Sequence, residues 1–163
     1  MEKRMSLDYM KIIQDRYDKL GYPTYRWVAS EDPSPWHPLP KPLSECRLGL
    51  VASGGIYVSG QVAFHWKDDV SFREIPMDVE TSDLRTSHFA YDQTDARRDI
   101  NVVFPIDTLR GLVEDGTIGE LADHAYTFMG GIYSARLVRE GLAPQLTDKM
   151  LAEKVDAVLL VPV

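Results

Sequence analysis

Apolar positions recur along the chain in two periods. Near the start, Leu7, Met10, Ile13, Tyr17 and Leu20 are spaced by three and four, which predicts an amphipathic helix with one buried face. Ser6 is placed to cap it, and Gly21 and Pro23 to stop it. Residues 33–42, "PSPWHPLPKP", carry proline at every second or third position, so they predict an extended strap with no place in a sheet interior. Short apolar runs follow. Arg47–Ala52 ends in Ser53-Gly54-Gly55 and predicts a strand and a tight turn. "SDLRTSH" (82–88) and "AYTFM" (125–129) are further strand candidates. "DAVLLVPV" (156–163) is the clearest and reads as a buried, interior strand. Between them, Pro105 opens a helix with Ile106, Leu109 and Val113 on one face and Gly116 beyond its end. Pro144 opens another, with Leu146, Met150 and Leu151 on a face.

Strands alternating with helices imply an α/β protein with a mostly parallel, Rossmann-like sheet flanked by helices. At 163 residues the chain is expected to form one domain. Residues 1–45 would be its helix and strap, and residues 46–163 its sheet core. In such sheets ligands bind beyond the carboxyl ends of the strands. That rule singles out Ser53, Gly54 and Gly55, then Ser87-His88, then Gly130-Gly131, and whatever follows Val163.

Composition adds exclusions. A net charge of −7 argues against nucleic acid as a partner. No apolar run approaches the ~20 residues that span a bilayer. The first residues lack the apolar core of a secretory signal, so a cytoplasmic protein is expected. Cys46 is the single cysteine, so no intrachain disulfide and no CxxC pair can form. It precedes the first strand, at the end of the sheet away from the expected site.

The densest polar stretch is "SHFAYDQTDARRDINVVFP" (87–105), with His88, Tyr91, Asp92, Asp95, Asp99 and Asn101. A histidine among carboxylates can move protons, hold a cationic amine or bind a metal. The same residues also serve as caps and turns. No HExxH motif or histidine pair supports a metal. In "SFREIP", Arg73 and Glu74 are neighbours on an extended segment and so point to opposite faces. Arg73 suits a substrate carboxylate or a structural ion pair. The "ASGGIY" turn can present backbone N–H groups to an anion, but it is neither a GxGxxG nor a Walker loop. His37, His65 and His124 read as packing, surface or cap residues.

Five stretches taken together resemble one family. "KPLSECRLGLVASGGIY", "FREIP", "SHFAYDQTDARRDINVVFP", "LRGLVEDGTIGELADHAYTFMGG" and "DAVLLVPV" occur in the order found in the selenoprotein B family. That family includes the glycine, sarcosine and betaine reductases and D-proline reductase. The resemblance covers residues 41–163. It implies that the strand like "DAVLLVPV" is followed at once by selenocysteine or cysteine, with a second cysteine a few residues on. The selenolate or thiolate would attack a small-molecule substrate held by a partner reductase subunit, and a dithiol or thioredoxin-type donor would reset the site.

The chain in hand would then hold no cofactor of its own. Its C-terminal part is expected beyond residue 163, behind a UGA codon. The expected activity is reductive cleavage of a C–N or other C–heteroatom bond, in an oligomeric complex. The candidate site comprises His88 as acid/base, Arg73 on a carboxylate, Glu74 and Asp92 as polar partners, and Ser53, Gly54, Gly55, Tyr91, Asn101 and Gly130 around the substrate. Three alternatives stay open: a non-catalytic binding or regulatory remnant of the family, a protein in which Cys46 has taken over as nucleophile, and a metal-dependent hydrolase using His88 and the aspartates.

Overall fold

A computed structural model describes residues 8–24 and 28–163. The chain divides into two compact units, residues 1–36 and residues 37–163.

In the first unit, helix α1 spans Tyr9–Lys19. Ser6 and Leu7 lie outside the described residues. Asp8 caps the helix, its carboxylate accepting from the Lys11 N–H at 3.1 Å. The expected buried face is absent, for none of the helix residues is buried. The proline strap forms no strand and is exposed throughout.

The second unit is a mixed α/β fold around a curled, mostly parallel sheet. Its central strand β1 (Arg47–Ala52) pairs in parallel with β5 (Glu120–Leu121) and β6 (His124–Thr127) on one side and with β7 (Ala157–Val161) on the other. Strand β3 (Arg73–Pro76) adds antiparallel to β6. A separate ribbon is made by β2 (Ile56–Val58) and β4 (Leu84–Thr86).

Alternation along β1 builds two cores. Leu48, Leu50 and Ala52 point to one face, where Ile106 and Leu109 of α3 (Ile106–Glu114) cover them. Val51 points to the other face and meets Tyr126 with Leu146 and Met150 of α5 (Ala143–Ala152). Burying each such side chain contributes roughly 1.5–3 kcal/mol, so helices on both faces are what make a buried parallel sheet stable.

Four expectations need correction. "SDLRTSH" supplies no strand to the main sheet. Gly55, at φ +68°, turns the chain back after β1, and Leu84–Thr86 pairs with Ile56–Val58 instead. Strand β7 is an edge: Leu160 is 68% exposed and Val158 40%, because no described strand lies on its second side. Its apolar run signals burial only where a neighbour is present. Pro144 stands in the first turn of α5, as expected, but does not begin the helical path. The helical path already begins at α4 (Ala135–Leu137) and passes through a π turn at Val138–Leu142. That wider turn accommodates the missing proline N–H. Leu151 is exposed rather than packed. No described helix is long and apolar enough to cross a membrane.

Candidate functional site

Three parallel strands end together. The register aligns Ala52 of β1 with Thr127 of β6 and with Val161 of β7. Ser53, the next residue, ties the ends to one another. Its N–H donates to the Val161 carbonyl at 3.0 Å, and its carbonyl accepts from the Gly130 N–H at 2.9 Å. Its hydroxyl oxygen accepts the Val163 N–H at 3.1 Å, which leaves the hydroxyl proton free to donate.

The glycines differ in what they contribute. A Cβ at Gly54 would rest at ordinary contact distance from Val103 and Val163, 3.4 and 3.5 Å away, so space does not require glycine there. At Gly55 a Cβ would overlap the Ser87 carbonyl, and the positive φ already disfavours a side chain. Gly130 is tight, its Cβ position lying 3.2 Å from that of Ser53.

The tight fit at Gly55 draws in the histidine. The Ser87 N–H donates to the Gly55 carbonyl at 2.9 Å, and the Gly55 N–H donates to Phe128 at 2.9 Å. His88 follows and is 4% exposed. Its Nδ1 accepts the Ala90 N–H at 3.1 Å, which assigns the ring proton to Nε2. That Nε2 is buried without a hydrogen-bond partner among the described residues. Burial pushes the imidazole below its ordinary value, so it is neutral at pH 7 and presents a buried N–H donor.

The Tyr91 ring lies tilted against the His88 ring, with centroids 4.7 Å apart and planes at 53°. Its hydroxyl, the Thr86 hydroxyl and the Gly54 carbonyl lie 2.9–3.1 Å from one another, three oxygens sharing two protons.

The remaining candidates lie in other arrangements. Asp92 accepts from the Thr94 N–H and hydroxyl at the start of α2 (Thr94–Arg98), at 2.9 and 2.6 Å; these bonds hold its carboxyl below the usual range. Asn101 exchanges bonds with Asp107, giving one at 2.9 Å and receiving one at 3.0 Å. Arg73 sits in register with Thr127, on the edge where β6 ends. Its guanidinium donates to the Val62, Ala63 and Phe72 carbonyls and stacks 4.3 Å from the Phe64 ring. Glu74, on the opposite face, pairs with Lys149 of α5 at 2.6 Å.

Cys46 is fully buried at the amino end of β1. Among the described residues, no three His, Cys, Asp or Glu side chains cluster where one metal ion could bind them.

The sequence pattern did not single out Thr86 or Glu153. Glu153 accepts from the Tyr126 hydroxyl at 2.7 Å and lies against His124 Nδ1 at 3.1 Å, at the amino end of β6. Glu153 lies 27 and 29 residues from these partners, and Thr86 lies 32 from Gly54, beyond the reach of local spacing.

Residues 9–163 match the profile of glycine/sarcosine/betaine reductase selenoprotein B. The chain is 37% identical to D-proline reductase subunit gamma of Acetoanaerobium sticklandii, over 82% of this chain and 55% of that one. It is 31% identical to glycine reductase complex component B subunit gamma of Symbiobacterium thermophilum, over 85% and 33%. It is 27% identical to sarcosine reductase complex component B subunit beta of Peptoclostridium acidaminophilum, over 98% and 37%. The chain thus spans about half the length of the first relative and about a third of the other two. No solved structure matches it. On the profile match and the shared identity, the chain belongs to the glycine/sarcosine/betaine reductase selenoprotein B family.

Proposed function

We propose that this chain is the scaffold of a reductase subunit that cleaves a C–N or other C–heteroatom bond in a small substrate, with its reactive selenocysteine or cysteine directly after Val163. The observation that supports this most is the position of Val163. Its N–H is held by Ser53 at the carboxyl edge of β1, β6 and β7. In a parallel sheet that edge is where chemistry is usually placed.

A chalcogen at the next position supplies a polarizable nucleophile that can be oxidised as the bond is cleaved and reduced again by a dithiol. The residues of this chain would prepare its surroundings. The Ser53 hydroxyl proton, left free by the bond to Val163, would donate to the anion and favour that form. The neutral His88 would offer its Nε2–H as a hydrogen-bond donor that orients the departing nitrogen, whose proton comes from the dithiol donor. Overall, a C–N bond breaks and nitrogen leaves with the electron pair and takes a proton. Carbon takes a hydrogen, and two thiols become a disulfide. Two electrons and two protons enter per bond cleaved, from a dithiol or a thioredoxin-type donor. Relatives named as subunits of reductase complexes support a partner subunit here too.

The test uses the complex purified from its native source. It is incubated with dithiothreitol and, separately, glycine, sarcosine, betaine or D-proline. Dithiol-dependent cleavage of one of them, abolished by prior alkylation of thiolate or selenolate, is the expected result. Cleavage of none would count against the proposal.

A further inference from the structure

A cavity of about 570 Å³ lies between the β2–β4 ribbon and the segment from α2 through residues 99–101. That volume is within the ~300–1,000 Å³ of small-molecule sites. Three guanidinium groups line it: Arg85 from β4, and Arg97 and Arg98 from the last turn of α2. The single carboxylate on its wall is Asp99, and one of its oxygens is taken up by the backbone and side-chain N–H groups of Asn101 at 3.0 and 3.1 Å. In a chain of net charge −7, this is a local excess of positive charge.

The arginines are little used elsewhere. Arg85 donates from Nη1 to the Ser82 and Leu84 carbonyls at 2.7 and 2.8 Å. Those bonds fix the guanidinium, while Nε and Nη2 have no partner among the described residues. Arg97 makes one long bond to Gln93 at 3.4 Å. Arg98 meets Asp95 at 3.5 Å in a pair with both side chains 76% exposed, a geometry that contributes little. The dipole of α2 accounts for cations at its carboxyl end, Arg97 and Arg98, but not for Arg85. Tyr57 lies directly across the ribbon from Arg85 and brings a hydroxyl with no partner among the described residues.

We propose that this cavity binds a small molecule bearing an oxyanion, a carboxylate or a phosphate, through Arg85, Arg97 and Arg98. A pre-set guanidinium fork with two free donor nitrogens matches an oxyanion in geometry as well as charge. The apolar walls, from Leu84, Ala96 and Ile100, suit a compact body behind the charged group. Thr86 also lines the cavity, and its hydroxyl contacts the Gly54 carbonyl. Occupancy would therefore be felt at the glycine turn. The proposal does not rest on the reductase reading, and its test needs no turnover.

The chain is titrated with sodium acetate and, separately, with sodium phosphate, at ionic strength held constant with sodium chloride. The side-chain Nε–H resonances of Arg85, Arg97 and Arg98 are followed by NMR. Saturable shifts at these three are expected. R97Q gives up only the long bond to Gln93, so it should raise the apparent Kd about tenfold with the thermal midpoint unchanged. R98Q should act likewise. Saturation by acetate alone marks a carboxylate site, by phosphate alone a phosphate site, and by both a general oxyanion site; each supports the proposal. Shifts that never saturate, or that saturate equally in the R97Q/R98Q double variant, would overturn it.

Discussion

The backbone N–H of Val163 donates to the hydroxyl oxygen of Ser53 at 3.1 Å, across 110 residues of chain. This bond places Val163, two residues past the end of β7, beside the turn after β1. Ser53→Ala would remove the acceptor and leave the N–H to water. The expected loss of stability is about 0.5–1.5 kcal/mol. The amide of Val163 should exchange faster while those inside β7 keep their protection, which hydrogen exchange by NMR would show. Unchanged exchange at Val163 would mean that the bond contributes nothing.

Gly54 and Gly55 should respond very differently to alanine. At Gly55 a methyl group meets the Ser87 carbonyl and a φ of +68°, so Gly55→Ala should cost about 1–3 kcal/mol or more in urea denaturation. At Gly54 the methyl group meets Val103 at ordinary contact distance, and the expected change is within about 1 kcal/mol. Equal effects would contradict the geometry.

His88 sets a pH dependence of known sign. Its folded-state pKa lies below the ordinary 6.5 because burial disfavours the imidazolium. Its contribution to stability is fully present above 6.5 and is lost as pH falls through the lower, folded value. His88→Asn keeps an acceptor for the Ala90 N–H but cannot titrate. Urea unfolding of the variant should show a shallower loss of stability as pH falls below 6.5 than the parent chain shows.

Glu153 acts at lower pH. Burial alone would raise its carboxyl, but hydrogen bonds from the Tyr126 hydroxyl and from His124 and Asp123 outweigh burial and hold it below the ordinary 4.5. The stabilisation is present above 4.5 and is lost as pH falls through the folded value. Tyr126→Phe removes one bond to a charged acceptor, at a cost of about 1.5–3 kcal/mol at neutral pH. The difference between variant and parent should shrink in acid, where the carboxylate is protonated.

The strands with strong local signals were legible in the sequence. Arg47–Ala52 carries a continuous apolar run and a glycine turn, and both appear as expected. Ile106–Glu114 follows from its spacing and from Pro105. What escaped depends on partners far along the chain. Ile56–Val58 has strand-forming residues but is only three long, and it becomes a strand because Gly55 turns it onto Leu84–Thr86. Strand β7 has the composition of an interior strand, but the number of its neighbours is not written in its own residues. In the candidate site, Ser53, Gly54, Gly55, Gly130, His88 and Tyr91 come together because turns follow strand ends. Asp92 and Asn101 belong to local caps, which short polar side chains near helix starts form readily.

Intact mass and selenium content of the protein purified from its native source test the central claim most directly. The account predicts a polypeptide extending past Val163, with selenocysteine or cysteine as the very next residue. A product of 163 residues with no selenium, or an extension carrying neither residue at that position, would contradict it.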